Sequence, residues 1–270
     1  MKKAITATGL ACALVSGTLL FPAQAAERPN GCGDLRGLRI PASVIGLPTT
    51  GGEVSTANTI APADGGTSPT GAYCRVDAVI HPMDPRAPDI TLRVALPQRW
   101  NDKTMMFGGG GYDGTIPDVT GNVPFGPTGR PRPLGRGYAT YAGDSGHRAA
   151  PDFQPATSLD GSFGVNDEAV RNFAGDALKK THDAARFIIR ARYGATAAHS
   201  YFAGGSSGGR EALAVAQRLP TDFDGVIAAG PAGNSRTRPL CAYPSWPKYR
   251  GHGEPASAHS FTCHSARPRT

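Results

Sequence analysis

Two serines stand within a short run of glycines at residues 204–209, and this run constrains the fold more than any other part of the chain. Residues 199–202 before it have the character of a buried strand, and residues 210–219 after it have the pattern of a helix. A strand, a glycine-rich serine turn and a helix are typical of a nucleophile elbow, which exposes a serine hydroxyl to a base and to backbone N–H groups. Ser206 and Ser207 both fit the Gly-x-Ser-x-Gly pattern, so spacing alone leaves two candidate nucleophiles.

A phosphate-binding loop is an alternative for this turn. It would need a lysine after its last glycine and a four-residue gap between its glycines, whereas Arg210 follows Gly209 and the gap is absent. A second glycine run, residues 108–111, follows the short apolar segment 104–107. An α/β-hydrolase takes one oxyanion donor from the residue after the nucleophile and another from a loop after an earlier strand. The two runs together therefore favour an acyl-transfer site over a plain flexible turn.

Hydrophobic patterns set these runs within alternating strands and helices. The longest helical signal covers residues 166–192, with Asn166 or Asp167 as its N-cap. Residues 49–70 are rich in Gly, Thr, Ser and Pro and predict a surface loop. Because strands and helices alternate, we expect an α/β fold with a mostly parallel sheet and flanking helices. The strands are predicted at residues 73–80, 90–96, 104–107, 138–142, 199–202 and 223–229.

Residues 1–25 have the order of a secretory signal peptide: a charged start, an apolar run and small residues before the cleavage position. A membrane anchor is the alternative. Cleavage after Ala25 would remove Cys12 and send a product with four cysteines to the periplasm or outside the cell, where disulfides form. Cys32 and Cys74 are the natural pair because both lie early and flank strand-like segments, although two separate buried thiols remain open.

The formal charge of +7 does not indicate a nucleic-acid partner. Residues 26–234 carry 20 basic and 20 acidic side chains, and residues 235–270 carry six basic and one acidic. No basic stripe is therefore left in the body of the protein. The 245 residues after the signal peptide suit one domain, which we assign to residues 26–234.

The sequence around the serine turn resembles the tannase and feruloyl esterase family. The resemblance rests on residues 201–210 and 216–228. It extends to the glycines 108–111, to residues 137–139 and 144–147 and to residues 73–76, so that it covers nearly everything from residue 32 to residue 234.

This resemblance implies an α/β-hydrolase that cleaves esters of hydroxylated aromatic acids, such as gallate or ferulate esters, through a serine acyl-enzyme. It selects Ser206 as the nucleophile and the Ser207 N–H as an oxyanion donor, with Gly110 and Gly111 as the donors in the glycine loop. It implies no organic cofactor. Family members often hold calcium in a lid downstream of the elbow, and the chain has no counterpart of that lid, so no metal site is predicted. The expected partner is a small aromatic ester, with neither nucleic acid nor, after signal cleavage, a membrane.

Two departures from the family pattern matter. Family members usually carry a cysteine just before the nucleophile, bridged to another beside the catalytic histidine, whereas this chain has Gly205. In this fold the triad also runs Ser, then Asp or Glu, then His along the chain, so the base should follow Ser206. The histidines that follow it all lie in residues 235–270 and are His252, His259 and His264.

The catalytic acid and base are therefore not assigned from the sequence. His147 with Asp144 precedes the nucleophile, and structural support of the site is the favoured role for this pair. For the acidic residues after the elbow, a structural role at a helix dipole or a loop cap is favoured over a catalytic one. These residues are Glu211, Asp222, Asp224 and Glu254.

Residues 235–270 differ in composition from the rest, with five Pro, five Arg and no hydrophobic period. We interpret them as an aberrant tail from a frame shift or premature end, in which the C-terminal strands, the lid and the triad Asp and His are missing. A native disordered tail is the rival.

Three functions compete on the sequence alone. The first is a secreted carboxylic ester hydrolase for hydroxyaromatic esters. The second is an inactive fragment or secreted binding domain that lacks the triad Asp and His. The third is another Gly-x-Ser-x-Gly hydrolase, such as a short-chain esterase or a polyester hydrolase.

Overall fold

The computed structural model describes residues 30–62, 70–149 and 160–232, which form one sheet flanked by helices. The signal peptide and the tail predicted from the sequence lie outside these ranges. No described helix has the length and apolarity that a membrane span requires. The helices are α1 (Asp167–Arg171), α2 (Ala177–Tyr193) and α3 (Ser207–Arg218). The strands are β1 (Arg39–Ile40), β2 (Gly51–Ile60), β3 (Tyr73–His81), β4 (Ile90–Pro97), β5 (Lys103–Phe107), β6 (Ala139–Gly143), β7 (His199–Gly205) and β8 (Gly225–Ala229).

Parallel pairing is confined to the half of the sheet that carries the serine turn. The strand order is β1-β2-β3-β4-β6-β5-β7-β8. Strand β5 runs parallel to β6 and β7, and β7 runs parallel to β8. The other neighbours, from β1 through β4 and between β4 and β6, pair antiparallel. The expectation of a mostly parallel sheet is thus corrected to a mixed sheet.

The prediction of a surface loop over residues 49–70 is wrong for its first half, which forms β2. This strand pairs antiparallel with β3 along its length, with an irregularity between Val54 and Thr56. Val54 and Ala57 are buried, whereas most of the residues between and after them lie at the surface. An antiparallel strand with one solvated face needs few large apolar residues. The polar composition of β2 therefore led to the prediction of a loop.

The sheet carries an apolar core on each face. On one face, helices α2 and α3 pack over Met106, Tyr141 and Phe202. On the other, Met105 and Phe107 pack with residues of the long connection between β5 and β6. Because side chains alternate along a strand, neighbouring residues of β5 contribute to both cores. The ends of β5 and β7 are thereby fixed from both sides.

The helix predicted over residues 166–192 is present but interrupted. Asn166 is its N-cap, and its Oδ1 accepts the Ala169 N–H at 3.0 Å. A π-helical turn, Asn172–Asp176, then separates α1 from α2. Gly175 in this turn has φ of 133°, which glycine adopts without the steric cost of a side chain.

A disulfide joins Cys32 to Cys74, with the Cα atoms 5.6 Å apart, so the predicted pairing is confirmed. Hydrogen bonds hold the same arm at a second point. The Asn30 side-chain amide donates to Ala191 O at 2.9 Å, and the Arg192 guanidinium donates to Asn30 O at 2.6 Å. The N-terminal arm is therefore tied both to β3 and to the end of α2.

Combining Cys32→Ala with Cys74→Ala is expected to lower the free energy of unfolding by about 4 kcal/mol, because the bridge restricts the unfolded chain. The two cysteines are 42 residues apart in sequence. Urea denaturation of the oxidised protein measures the change. The exposed Ser43→Ala control should stay within about 0.5 kcal/mol of the wild type. Equal denaturation midpoints for the double variant and the wild type would contradict this expectation.

Candidate active site

Ser206 lies at the junction of β7 and α3, where the backbone turns sharply. Its φ and ψ are 54° and −118°, and a side chain adopts this positive φ only with strain. Three hydrogen bonds hold the strained residue. Its N–H donates to Ala229 O at 3.0 Å, and its carbonyl accepts from Arg210 N–H at 3.1 Å and Ala232 N–H at 2.9 Å. The result is an exposed serine where β7 ends, the geometry of a nucleophile elbow.

Glycines allow the backbones around this turn to approach closely. A Cβ atom on Gly204 would overlap the Gly208 carbonyl, and one on Gly208 would lie 2.7 Å from Gly109 O. A Cβ on Gly209 would lie 2.8 Å from Ala229 O. Gly205 differs, because the nearest atom to its Cβ position is a side-chain carbon at 3.5 Å, an ordinary contact.

The glycine loop, residues 108–111, lies directly against the start of α3. Gly208 N–H donates to Gly109 O at 3.0 Å, and the Ser207 hydroxyl donates to Gly111 O at 2.5 Å. Both predicted glycine runs therefore meet at one place. Within the described chain, the backbone N–H groups of Ser207, Gly110 and Gly111 donate to no protein acceptor.

Two buried carboxyl groups, Asp113 and Glu211, pack against this loop. Glu211 Oε2 accepts the Gly109 N–H at 2.9 Å, and Asp113 Oδ2 accepts the Ser145 hydroxyl at 3.1 Å. Burial raises the pKa of both groups, and the neighbouring Asp113 raises that of Glu211 further. Sequence reasoning missed this pair. An acidic residue near each glycine run was visible, but 98 residues separate them, and only the fold brings them together.

Asp144 and His147 form part of the wall beside the loop, in keeping with the structural role favoured from the sequence. Asp144 accepts hydrogen bonds from the N–H and hydroxyl of Thr91, and burial raises its pKa to about 6. His147 is 2% exposed. Its Nε2 donates to Tyr112 O at 2.6 Å, and its ring stacks on Phe163 with the centroids 4.0 Å apart. Its buried ring and engaged Nε2 leave His147 unsuited to act as the base for Ser206.

The other acidic candidates stabilise the fold. Asp222 forms an ion pair with Lys179 at 2.8 Å, and Asp224 lies 3.5 Å from His199 Nδ1. In residues 30–62, 70–149 and 160–232, no histidine hydrogen-bonds Ser206 and no three metal-ligating side chains come together. Four remaining candidates lie outside the described residues, namely Glu254, His252, His259 and His264.

A serine elbow with an adjoining glycine loop on a mixed sheet defines an α/β-hydrolase site. Residues 74–235 match the tannase and feruloyl esterase family. The chain therefore belongs to this family of ester hydrolases, and the predicted α/β-hydrolase class is confirmed.

Three relatives show the extent of the similarity. An uncharacterized esterase from Agrobacterium fabrum is 42% identical over 206 residues, which cover 75% of this chain and 35% of that protein. A mono(2-hydroxyethyl) terephthalate hydrolase from Piscinibacter sakaiensis is 30% identical over 182 residues, which cover 66% and 30%. The crystal structure of feruloyl esterase B from Aspergillus oryzae aligns with a TM-score of 0.53 at 24% identity, covering 69% of this chain and 35% of that one. The chain spans about a third of the length of these relatives.

The two glycines before the nucleophile are expected to respond differently to a methyl group. Gly204→Ala should lower the free energy of unfolding by about 3 kcal/mol or more, because its Cβ overlaps the Gly208 carbonyl. Gly205→Ala should change it by less than about 1 kcal/mol, since its Cβ atom would make only ordinary contacts, the nearest at 3.5 Å. Chemical denaturation of the two variants checks the difference, and equal effects would contradict the described turn.

Because Ser206 is strained, replacing it by glycine should stabilise the fold while removing the nucleophilic hydroxyl. Ser206→Gly should be about 1 kcal/mol more stable than Ser206→Ala, because glycine adopts the positive φ without strain. Both variants lack the hydroxyl, so the comparison isolates the backbone. Thermal or urea unfolding measures it, and a less stable glycine variant would argue against a strained turn.

Proposed function

We propose that this chain carries the nucleophile and the oxyanion donors of a secreted serine carboxylesterase that acts on esters of hydroxyaromatic acids. The observation that carries the proposal is the strained and exposed turn at Ser206, with uncommitted backbone N–H groups beside it. Proteins keep such strain where function requires it. Family membership supports ester hydrolysis as that function.

In the proposed reaction, Ser206 Oγ attacks the ester carbonyl and loses its proton to a base. The carbonyl oxygen becomes an oxyanion that the N–H groups of Ser207, Gly110 and Gly111 stabilise. The C–O bond to the alcohol then breaks, the alcohol leaves with the proton, and an acyl-enzyme remains. Water hydrolyses this acyl-enzyme by the same sequence and releases the acid.

The catalytic base and acid are expected after Ser206 in chain order. His147 does not fill the role of base, because it is buried and its Nε2 is bound to Tyr112 O. Asp222 is held by Lys179. Both groups are therefore expected outside the described residues.

An aromatic acyl group is supported by chemistry beside the loop and by the relatives. Tyr112 follows Gly111 directly, is 44% exposed and meets Phe173 edge to face at 6.1 Å. An exposed ring at this position offers a surface on which a hydroxyaromatic acid could stack. Two relatives carry the names mono(2-hydroxyethyl) terephthalate hydrolase and probable feruloyl esterase. Secretion is supported by the signal-like residues 1–25 and by the disulfide.

Purified protein should release acid from methyl gallate and methyl ferulate faster than from p-nitrophenyl acetate. Ser206→Ala should reduce release by about 10³-fold or more, because the acyl-enzyme can no longer form. The exposed Ser43→Ala variant is the matched control and should keep wild-type rates. Liquid chromatography of the released acids measures both.

Two outcomes would contradict the proposed function. A lack of Ser206-dependent release from all three esters would mean that this polypeptide is an inactive or binding module. A preference for the acetate ester would favour a general esterase over an enzyme for hydroxyaromatic acids.

A further inference from the structure

We propose that Asp113 and Glu211 share one proton and that the protonated pair holds the glycine loop, residues 108–111, in position beside Ser206. This inference rests on the proposed function in assigning the loop an oxyanion role. It makes Glu211 and Asp113 positioning residues, since neither is proposed to touch the substrate.

The contacts of Glu211 connect helix α3 to the loop. Its Oε2 accepts the Gly109 N–H at 2.9 Å, and a Cβ atom on Gly108 would lie 2.7 Å from the same oxygen. The glycines are therefore needed for the carboxyl group to reach the loop backbone. Glu211 is 4% exposed, so water does not replace these contacts.

Asp113 holds the loop from its other end. Its backbone N–H donates to Gly110 O at 2.8 Å, and its side chain lies against the Cβ position of Gly109. Asp113 Oδ2 accepts the Ser145 hydroxyl, but Oδ1 is buried with no donor among the described groups when both carboxyls are ionised. A proton on Glu211 supplies that donor, because both carboxyl groups are buried against the same residue: Glu211 Oε2 accepts the Gly109 N–H, and Asp113 Oδ1 lies against the Cβ position of Gly109.

The charges around the pair also fit one proton. Arg210 on α3 attracts both carboxyl groups, while its guanidinium stacks on Phe173 at 4.4 Å. His147, from the turn after β6, faces Asp113, and burial lowers its pKa so that the ring is neutral near pH 7. One arginine and two carboxyl groups with one proton sum to zero net charge. Losing the proton would leave an unbalanced charge in a buried cluster, which is costly.

Proton loss is therefore expected to release the loop. Two carboxylates buried on either side of Gly109 repel each other and draw water, which competes with the Gly109 N–H for Glu211. A glutamine at position 211 would mimic the protonated acid at every pH, since its carbonyl can accept from Gly109 and its amide can donate to Asp113. The sign of the stability change follows from the raised pKa values. Stability of the wild type falls as pH rises above the ordinary range for Glu. Glu211→Gln should show a smaller fall, because Glu211, with its strongly raised pKa, no longer titrates, while burial still raises the pKa of Asp113.

Infrared spectroscopy tests the shared proton without any need for activity. At a pH of about 7.5, where Asp144 with its pKa of about 6 is ionised, the wild type should show the carbonyl band of a protonated carboxylic acid. Glu211→Gln should lose the band. Two controls should keep it: Glu53→Gln, which is exposed, and Glu168→Gln, which is buried but ionised beside Lys180 at 3.2 Å.

Hydrogen exchange of residues 108–113 tests the hold on the loop. Glu211→Ala should exchange at least about tenfold faster than the wild type, because the Gly109 N–H loses its acceptor. Glu211→Gln should match the wild type at neutral pH. At alkaline pH, after correction for intrinsic exchange, the wild type should approach Glu211→Ala while Glu211→Gln stays protected.

Ester hydrolysis gives the third readout. For the wild type, kcat should fall at alkaline pH, and Glu211→Gln should remove this limb of the profile. Glu211→Ala should lower kcat by about tenfold or more with KM within about twofold, as expected for misplaced oxyanion donors.

Each result bears on the inference separately. Absence of the infrared band in the wild type would overturn the shared proton. Unchanged exchange in Glu211→Ala, or an unchanged pH profile in Glu211→Gln, would overturn the hold on the loop. If the wild type hydrolyses no ester, the proposed function fails, while the infrared and exchange results still decide this inference.

Discussion

The site depends on the contact of three stretches of backbone at one point: the end of β7, the first turn of α3 and the loop after β5. Glycines at 204, 208 and 108 remove the side chains that would keep these stretches apart. The hydrogen bond from Gly208 N–H to Gly109 O then fixes the loop on the helix. Everything proposed for the chemistry, from the exposed Ser206 to the three N–H donors, follows from this close approach.

Most of the charge around this contact is compensated by neighbouring groups. Asp222 and Asp224 face Lys179 and His199 at a distance from the elbow, where they stabilise connections between elements. The carboxyl groups nearer the loop are buried and have raised pKa values. A developing oxyanion would therefore meet backbone dipoles rather than a field of fixed negative charge, which is the arrangement that favours acyl transfer.

Local patterns in the sequence predicted the parts of the fold that a single segment encodes. The apolar alternation of β4, the N-cap at Asn166 and the strand-turn-helix around Ser206 are of this kind. Strand β2 was missed because its partner β3, rather than its own polar composition, determines its conformation. The packing of Asp113 and Glu211 against the same glycine was hidden for the same reason. Neither residue is unusual in its own segment, and the fold alone brings both to Gly109.

Gly205 differs from its glycine neighbours in a way that bears on how the elbow tolerates variation. In the family that the chain resembles, this position usually holds a bridged cysteine. Here a Cβ atom would make only ordinary contacts, with the Pro124 side chain at 3.5 Å and with Ala229 O at 3.7 Å. The turn does not need glycine at this point, and its shape does not need the bridge. A thiol introduced at residue 205 would therefore offer an attachment point for a spectroscopic label one residue from the nucleophile, on an otherwise undisturbed backbone.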